Sequence, residues 1–181
     1  MGVNSMAIWN FLRRHSRARR GGAGQPDSGV EIRVLPPEER QPALDLALRV
    51  FMEFNAPEYT QEGVESFRST LTDRVYLRML KTYGAFENGT LAGMLATRDS
   101  GSHIALFFVD GRYHRRGIGR CLFEAALREN RRKAMTVNAS SYALEFYRRL
   151  GFVPADTQQL TDGITYTPMI LRPGASGRNS A

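Results

Sequence analysis

Hydrophobic residues along this chain recur with two periods, one typical of strands and one typical of helices. The alternation VEIRVL at 30–35 predicts a first strand. Apolar residues then recur at helical spacing over 43–54 and again over 64–71, which predicts two helices. Pro36-Pro37 followed by two glutamates opens the first helix, and Thr60 is the expected N-cap of the second.

The second half of the chain shows the same alternation of periods. A hairpin is predicted over 82–98, because two apolar runs flank Asn88-Gly89, a dipeptide suited to the type I′ turn. The run HIALFFV is apolar on both faces, so we expect it in the middle of the sheet. The remaining predicted elements are a helix from Gly117, a strand at 134–139, a helix at 140–150 closed by Gly151, and a strand at 164–171.

This succession of elements predicts a single-domain α/β fold. A mixed central β-sheet flanked by helices is expected, in the order β-α-α-β-β-β-α-β-α-β. The chain has 181 residues, of which 42% are hydrophobic, enough for one core. We expect the domain to span 30–172, with an extension and Gly-rich linker at 1–29 and a flexible tail at 173–181.

The net charge of +7 is concentrated at the start of the chain. Arginines accumulate before the first acidic residue, Asp27, and the remainder carries only about +2, an ordinary surface charge. The basic start fits a disordered extension, an amphipathic surface helix, a transit-like sequence or an arm that binds nucleic acid or a membrane. We expect no nucleic-acid binding by the core domain.

Cysteine content and hydropathy bear on the compartment. The lone Cys121 excludes an internal disulfide, and a small buried thiol is its expected role. No apolar stretch reaches membrane-spanning length and no signal-peptide pattern is seen, so we expect a cytoplasmic protein without a transmembrane segment. A homodimer is one candidate assembly.

The segment YHRRGIGR at 113–120 places two glycines among three arginines where the apolar strand gives way to a helix. Backbone amides at such a turn favour an anion. A Walker loop is excluded because Arg120 and Cys121 stand where Lys and Ser or Thr are required. A dinucleotide loop would need a third glycine and an acidic ribose partner, which are missing. A glycine turn without a ligand stays open on this pattern alone.

Two longer segments, FFVDGRYHRRGIGRCLFEAALRE and then NASSYALEFYRRLGF, resemble the GNAT N-acetyltransferase superfamily, and the resemblance runs from about Val30 to Leu171. The phosphate loop of that family has the form Gln/Arg-x-x-Gly-x-Gly/Ala, and this chain departs from it by carrying His114 at the first position. The departure is tolerable because such a loop works mainly through backbone N–H groups. The resemblance implies the GNAT fold, an acetyl-CoA site and no metal.

The resemblance also implies roles for individual residues around acetyl-CoA. The loop amides would hold the pyrophosphate at a helix N-terminus, with arginines adding positive charge. The main chain of the preceding strand would bond the pantetheine arm, and one of its amides would stabilise the oxyanion of the reaction. For Asn138 and Ser140, turn or N-cap chemistry is an alternative. The implied cofactor-binding residues are Phe107, Phe108, Val109, His114, Arg115, Arg116, Gly117, Ile118, Gly119, Arg120, Asn138 and Ser140.

Direct transfer to an amine needs an acid for the departing thiolate, and the resemblance puts Tyr147 in that place as general acid. A phenol of pKa near 10 suits a thiolate of pKa about 8.5, although Tyr147 at helical spacing is also explained by packing alone. The candidate bases are Glu53, His103 and Asp110, and a water chain is an alternative to all three. Glu53 is also a candidate contact for the acceptor.

An acidic stretch at 50–67 bears on the acceptor, because it contains glutamates and no Lys or Arg. Its charge would attract a cationic amine if it lines the acceptor cleft, and a solvated helix face is the alternative. The resemblance implies an enzyme that acetylates a primary amine of a small molecule or peptide from acetyl-CoA in a ternary complex. A non-catalytic acyl-CoA-binding or sensing module of the same fold is the alternative. The glutamates are Glu53, Glu58, Glu62 and Glu65.

Overall fold

The computed structural model describes residues 29–130 and 134–172. The predictions for the basic start and for the C-terminal tail lie outside these described residues. Within them, no helix has both the length and the apolar character needed to cross a membrane.

The helices and strands of the described chain are numbered in chain order. The helices are α1 (Gln41–Phe54), α2 (Gln61–Thr72), α3 (Arg74–Arg78), α4 (Ile118–Glu129) and α5 (Leu144–Arg149). The strands are β1 (Val30–Leu35), β2 (Lys81–Glu87), β3 (Thr90–Arg98), β4 (His103–Val109), β5 (Met135–Ala139), β6 (Val153–Pro154), β7 (Gln159–Thr161) and β8 (Ile164–Leu171).

The strands form one mixed sheet in the order β1-β2-β3-β4-β5-β8-β6, with β7 paired to β8. The pairing of β4 with β5 is parallel and the other pairings are antiparallel. Helices α4 and α5 pack on one face of the sheet, while α1 and α2 pack on the other. The predicted α/β fold with a mixed sheet between helices is confirmed.

Local signals explain where several elements begin and end. The Thr60 side chain accepts a hydrogen bond from the Gly63 amide at 3.2 Å, so it caps α2 as predicted. Asn88 and Gly89 have φ of 50° and 76°, the left-handed pair that a type I′ turn requires. Every residue of β4 is buried, which fits its central place between β3 and β5.

Three short elements were not predicted, namely α3, β6 and β7. Each has five residues or fewer, too short for a hydrophobic period to show. Helix α1 also begins later than expected, at Gln41, because Pro37–Glu39 forms a separate 3-10 turn. The strand predicted at 134–139 begins at Met135.

Candidate active site

The centre of the sheet opens where β4 and β5 separate. They pair only at His103↔Thr136 and Ile104↔Val137, and then diverge. The amide of Asp110 donates to the Ala92 carbonyl on the β3 side at 2.9 Å. Because successive residues of a strand turn their backbone groups to opposite sides, Phe107 and Val109 present theirs to the opening. The backbone of Phe107 and Val109 therefore faces the opening rather than β3.

The opposite wall of the opening is β5, and its register with β8 shows which backbone groups face inward. Asn138 lies opposite Pro168, whose carbonyl accepts from the Ala155 amide on the β6 side at 2.8 Å. Proline has no N–H to give, so this pair is not hydrogen-bonded and the backbone of Asn138 turns toward the opening. An extended ligand in the opening would meet amides and carbonyls on both sides.

The backbone of Phe108 corrects one expectation for the strand. Phe108 pairs with Met94 of β3, so its N–H and C=O are directed away from the opening. Its side chain lies in the core on the α1 side, edge-on to Phe67 at 5.7 Å between ring centroids. Of the three implied residues Phe107, Phe108 and Val109, Phe108 is thus not placed to donate into the opening, whereas the backbone of the other two faces it.

Beyond β4, the glycine loop turns sharply into α4. Arg115 and Gly117 adopt left-handed backbone, with φ of 63° and 80°. The first helical bond of α4 runs from the Cys121 amide to the Gly117 carbonyl at 3.0 Å. The amides of Ile118, Gly119 and Arg120 therefore have no acceptor within the helix, and the helix dipole places partial positive charge at this end.

A cleft of about 250 Å³ lies at this end of α4. Three arginines reach it, and Arg120 and Arg149 are each engaged with a carboxylate, Glu124 and Glu145. Basic side chains around exposed helix amides favour an anion. Arg149 had not been predicted, although the RR pair after Tyr147 is its signal in the sequence. The lining residues are Tyr113, Arg115, Gly117, Ile118, Gly119, Arg120, Phe146, Arg149 and Leu150.

Two loop residues are directed elsewhere. Arg116 pairs with Glu87 at 2.7 Å and lies 5.7 Å from the centre of the Tyr113 ring, and it is not among the residues that line the cleft. The His114 ring contacts the Val109 carbonyl through Nε2 at 3.0 Å. A carbonyl only accepts, so Nε2 carries the proton. His114 therefore bonds the end of β4 rather than the cleft where it was expected.

Asp110 is a buried anion at the junction of β4 and the loop. It is 1% exposed and binds Arg49 at 2.7 Å and the Arg112 side chain at 2.8 and 3.0 Å, while also accepting from the Arg112 amide at 3.0 Å. These bonds, those from Arg112 above all, hold the pKa of Asp110 far below its usual range. It is consequently a poor candidate for the base.

The other two candidate bases lie far apart. His103 is at the opposite end of β4, about 20 Å from Val109 at the usual rise per residue, and its Nδ1 contacts the Thr136 hydroxyl at 2.7 Å. Glu53 is exposed on the last turn of α1. It lines a cleft of about 510 Å³ beside the loop, together with Arg49, Phe54, Asp110, Gly111, Arg112 and His114. Of the three, only Glu53 combines access with proximity to the opening.

Tyr147 lies on α5 and is fully buried. Its ring packs edge-on against Phe107, Phe146 and Phe152. Its hydroxyl has no hydrogen-bond partner among the described residues, and burial raises its pKa well above the usual value. A buried hydroxyl without a partner is unfavourable unless a ligand or water completes it. The phenol stays protonated, as a proton donor must.

Ser140 and the connection between α1 and α2 meet at the end of β5. The Ser140 hydroxyl accepts from the Ala143 amide at 3.3 Å, which confirms the N-cap alternative. Tyr59 donates to the Thr165 carbonyl at 3.4 Å, and Ser140 lies close to it. Burial and then the charge of Glu58 raise the pKa of Tyr59. No signal in the sequence pointed to Tyr59, because its partners lie far along the chain.

The same two causes, burial and Glu58, raise the pKa of Tyr142, whose buried hydroxyl has no partner among the described residues. Of the acidic stretch, Glu58 therefore lies near Tyr59 and Tyr142, and Glu53 lines the cleft beside the loop. Glu62 and Glu65 are exposed on α2, as the solvated-face alternative predicted.

Comparison with known proteins gives one family. A family model described as "Acetyltransferase (GNAT) domain" matches residues 55–173. A search of curated protein sequences with this chain finds no match.

Solved structures of similar fold cover most of this chain. A GCN5-related N-acetyltransferase from Rhodopseudomonas palustris is 22% identical with a TM-score of 0.68, covering 82% of this chain and 98% of its own. PaiA N-acetyltransferase from Thermoplasma acidophilum, solved with coenzyme A, is 19% identical with a TM-score of 0.66, covering 79% and 98%. An acyl-CoA N-acyltransferase from Pseudomonas aeruginosa is 21% identical with a TM-score of 0.57, covering 78% and 97%. At identities below 25%, these structural similarities show the fold alone.

Proposed function

The chain belongs to the GNAT acetyltransferase family, and on that premise we propose that it transfers an acetyl group from acetyl-CoA to a primary amine. The observation that carries the proposal is the opening between β4 and β5, which leads directly to the glycine loop and the first turn of α4. An opening lined by backbone groups suits an extended amide-containing arm, and the loop cleft suits an anion.

The described residues fit acetyl-CoA as the donor substrate. The amides of Ile118 to Arg120, with Arg115 and Arg149, would hold a pyrophosphate. The inward-facing backbone of Phe107, Val109 and Asn138 would hold the pantetheine arm. Gly117 lines the cleft and has nothing within 4 Å of where a Cβ would stand, so the loop leaves space for a close approach.

The donor supplies an activated acyl group as a thioester, and the residues of this chain guide its transfer. The amine nitrogen forms a bond to the acyl carbon while the carbon–sulfur bond breaks. A backbone amide of β4 stabilises the charge on the acyl oxygen. Tyr147 gives its proton to the departing thiolate, and the nitrogen loses one proton to Glu53 directly or through water. The products are an N-acetylated amine and free CoA.

The proposed acceptor is an amine because two exposed carboxylates lie near the opening. Glu53 lines the cleft beside β4, and the charge of Glu58 raises the pKa of Tyr59 and Tyr142 near the end of β5. Both are exposed and have no ion pair within the described chain. Unpaired carboxylates attract an ammonium group and orient it before it loses its proton.

An acceptor screen that reports free CoA tests the proposal. Acetyl-CoA and longer acyl-CoA donors are incubated with small amines, polyamines, amino acids and peptides, and the acetylated product is identified by mass. Amine-dependent thiol release with matching product supports the transferase. Tight acetyl-CoA binding by calorimetry without cleavage with any amine would overturn it in favour of the non-catalytic acyl-CoA-binding module.

A further inference from the structure

The cleft beside the loop carries two separated charges of opposite sign. Asp110 forms its floor and is held by the guanidinium groups of Arg49 and Arg112. Two positive charges therefore meet one negative charge, and the cluster of three retains a net positive charge. Glu53 supplies the negative charge from α1. The cleft is thus polarised rather than uniformly acidic.

The two arginines have binding capacity left after holding Asp110. Their side chains are 51% and 72% exposed, whereas the Asp110 side chain is 2% exposed. A guanidinium carries five N–H donors in a planar fork, and only part of each fork is used on Asp110. The remaining donors are positioned for a second carboxylate, because the first one fixes the orientation of both side chains.

Arg49 and Glu53 lie one turn apart on the same face of α1, about 6 Å along the axis. Such a pair would ordinarily form a salt bridge, but Arg49 is turned to Asp110 instead. Glu53 consequently has no partner among the described residues. Arg49 and Glu53 thus line one cleft with charges of opposite sign that are not paired with each other, as recognition of a small ligand bearing both signs requires.

From this arrangement we infer that the acceptor is an α-amino acid with a free carboxylate, an inference that rests on the proposed function. Arg112 and Arg49 bind the carboxylate, while Glu53 binds the ammonium group. The ring of Phe54 forms an apolar wall for the side chain. The ammonium group loses a first proton to water, and the same nitrogen then attacks the acyl carbon and gives its second proton to Glu53, so recognition and reaction concern one α-amine. Arg112 and Arg49 determine specificity rather than chemistry.

The test compares acceptors that differ only in the carboxylate. The pairs are phenylalanine with 2-phenylethylamine, histidine with histamine, and lysine with 1,5-diaminopentane, supplemented by the methyl ester of each amino acid. We expect kcat/KM to favour the amino acid over its partner by about tenfold or more, the size of one charge-assisted hydrogen bond. Equal use of both members of every pair, or activity restricted to amines without a carboxylate, would overturn the inference.

A single variant ties the preference to the cleft. Arg112→Gln should abolish the preference by raising KM for the amino acid far more than it raises KM for the decarboxylated amine. Arg74→Gln is the matched control, because Arg74 is an exposed arginine on α3 outside the cleft, and it should leave the preference intact. A preference that survives Arg112→Gln contradicts the assignment.

Binding measurements separate this inference from the proposed function. If no amine is acetylated, calorimetry of phenylalanine, histidine and lysine with the CoA-bound protein still tests the cleft. If the amino acids bind and Arg112→Gln weakens that binding, the recognition site is supported even though the transferase proposal fails. Absence of both turnover and binding overturns the inference as well.

Discussion

Replacing Gly117 with alanine is the most direct test of the loop as a cofactor anchor. Gly117 has φ of 80°, in the left-handed region, and nothing lies within 4 Å of the position that a Cβ would take. The methyl group therefore meets no neighbour, and the change acts on backbone conformation and on the cleft that Gly117 lines.

The conformational part of this effect can be estimated. An L-residue in the left-handed region is disfavoured by about 1–2 kcal/mol, and the smaller freedom of alanine in the unfolded chain offsets part of this. We expect the free energy of unfolding to fall by about 1 kcal/mol, measured by urea denaturation. Such a loss leaves the protein folded and suitable for binding measurements.

Gly89 offers a matched control for that strain. It has φ of 76° and likewise nothing within 4 Å of where a Cβ would stand, but it lies in the turn between β2 and β3. Gly89→Ala should lose similar stability and keep its affinity for CoA. Gly117→Ala should lose about tenfold or more in CoA affinity by calorimetry, because the methyl group occupies space that the pyrophosphate needs. Equal CoA affinities in the two variants would refute the assignment of the loop.

Two further predictions concern the interior of the site. Tyr147→Phe should lower kcat about a hundredfold or more and leave CoA affinity unchanged. The free energy of unfolding should not fall, because the hydroxyl has no hydrogen-bond partner among the described residues to lose. Full turnover by this variant would refute the acid role. Asp110→Asn should lower the free energy of unfolding at pH 7 by about 2 kcal/mol, because two guanidinium groups lose their anion. Since folding depresses the pKa of Asp110, the advantage of the wild type is complete well above 3.8 and shrinks as pH falls below it. Urea titrations of both proteins between pH 7 and pH 3 measure this, and a difference that does not change with pH would contradict it.

The sequence predicted those features that depend on neighbours along the chain. The caps at Thr60 and Ser140 are set by residues a few positions away, and the turn at Asn88-Gly89 by its own backbone preference. The glycine loop is local in the same sense. For this reason the motif lies at a cleft beside the start of α4, the proposed anion site, although His114 and Arg116 face elsewhere.

Contacts between distant segments could not be predicted in this way. Arg49 meets Asp110 across 61 positions, and Tyr59 reaches Thr165 across 106. Both contacts depend on the register of β4, β5 and β8 and on how α1 crosses the sheet, which hydrophobic periodicity does not determine. The proposed acceptor side of the site consists largely of such contacts, whereas the loop proposed to hold the cofactor is formed by neighbouring residues.

The separation of β4 and β5 leaves a seam through the middle of the molecule. Pairing at His103 and Ile104 joins β4 to β5 at one end of the seam. Aromatic contacts of Phe107 with Phe146 and Tyr147 join β4 to helix α5. An extended donor bonded to both edges would act as a temporary strand and close the sheet. A ligand held only by the folded state adds about 2.7 kcal/mol of stability at a hundred times its Kd. The concentration of the donor would then affect the stability of the folded protein as well as the rate of the reaction.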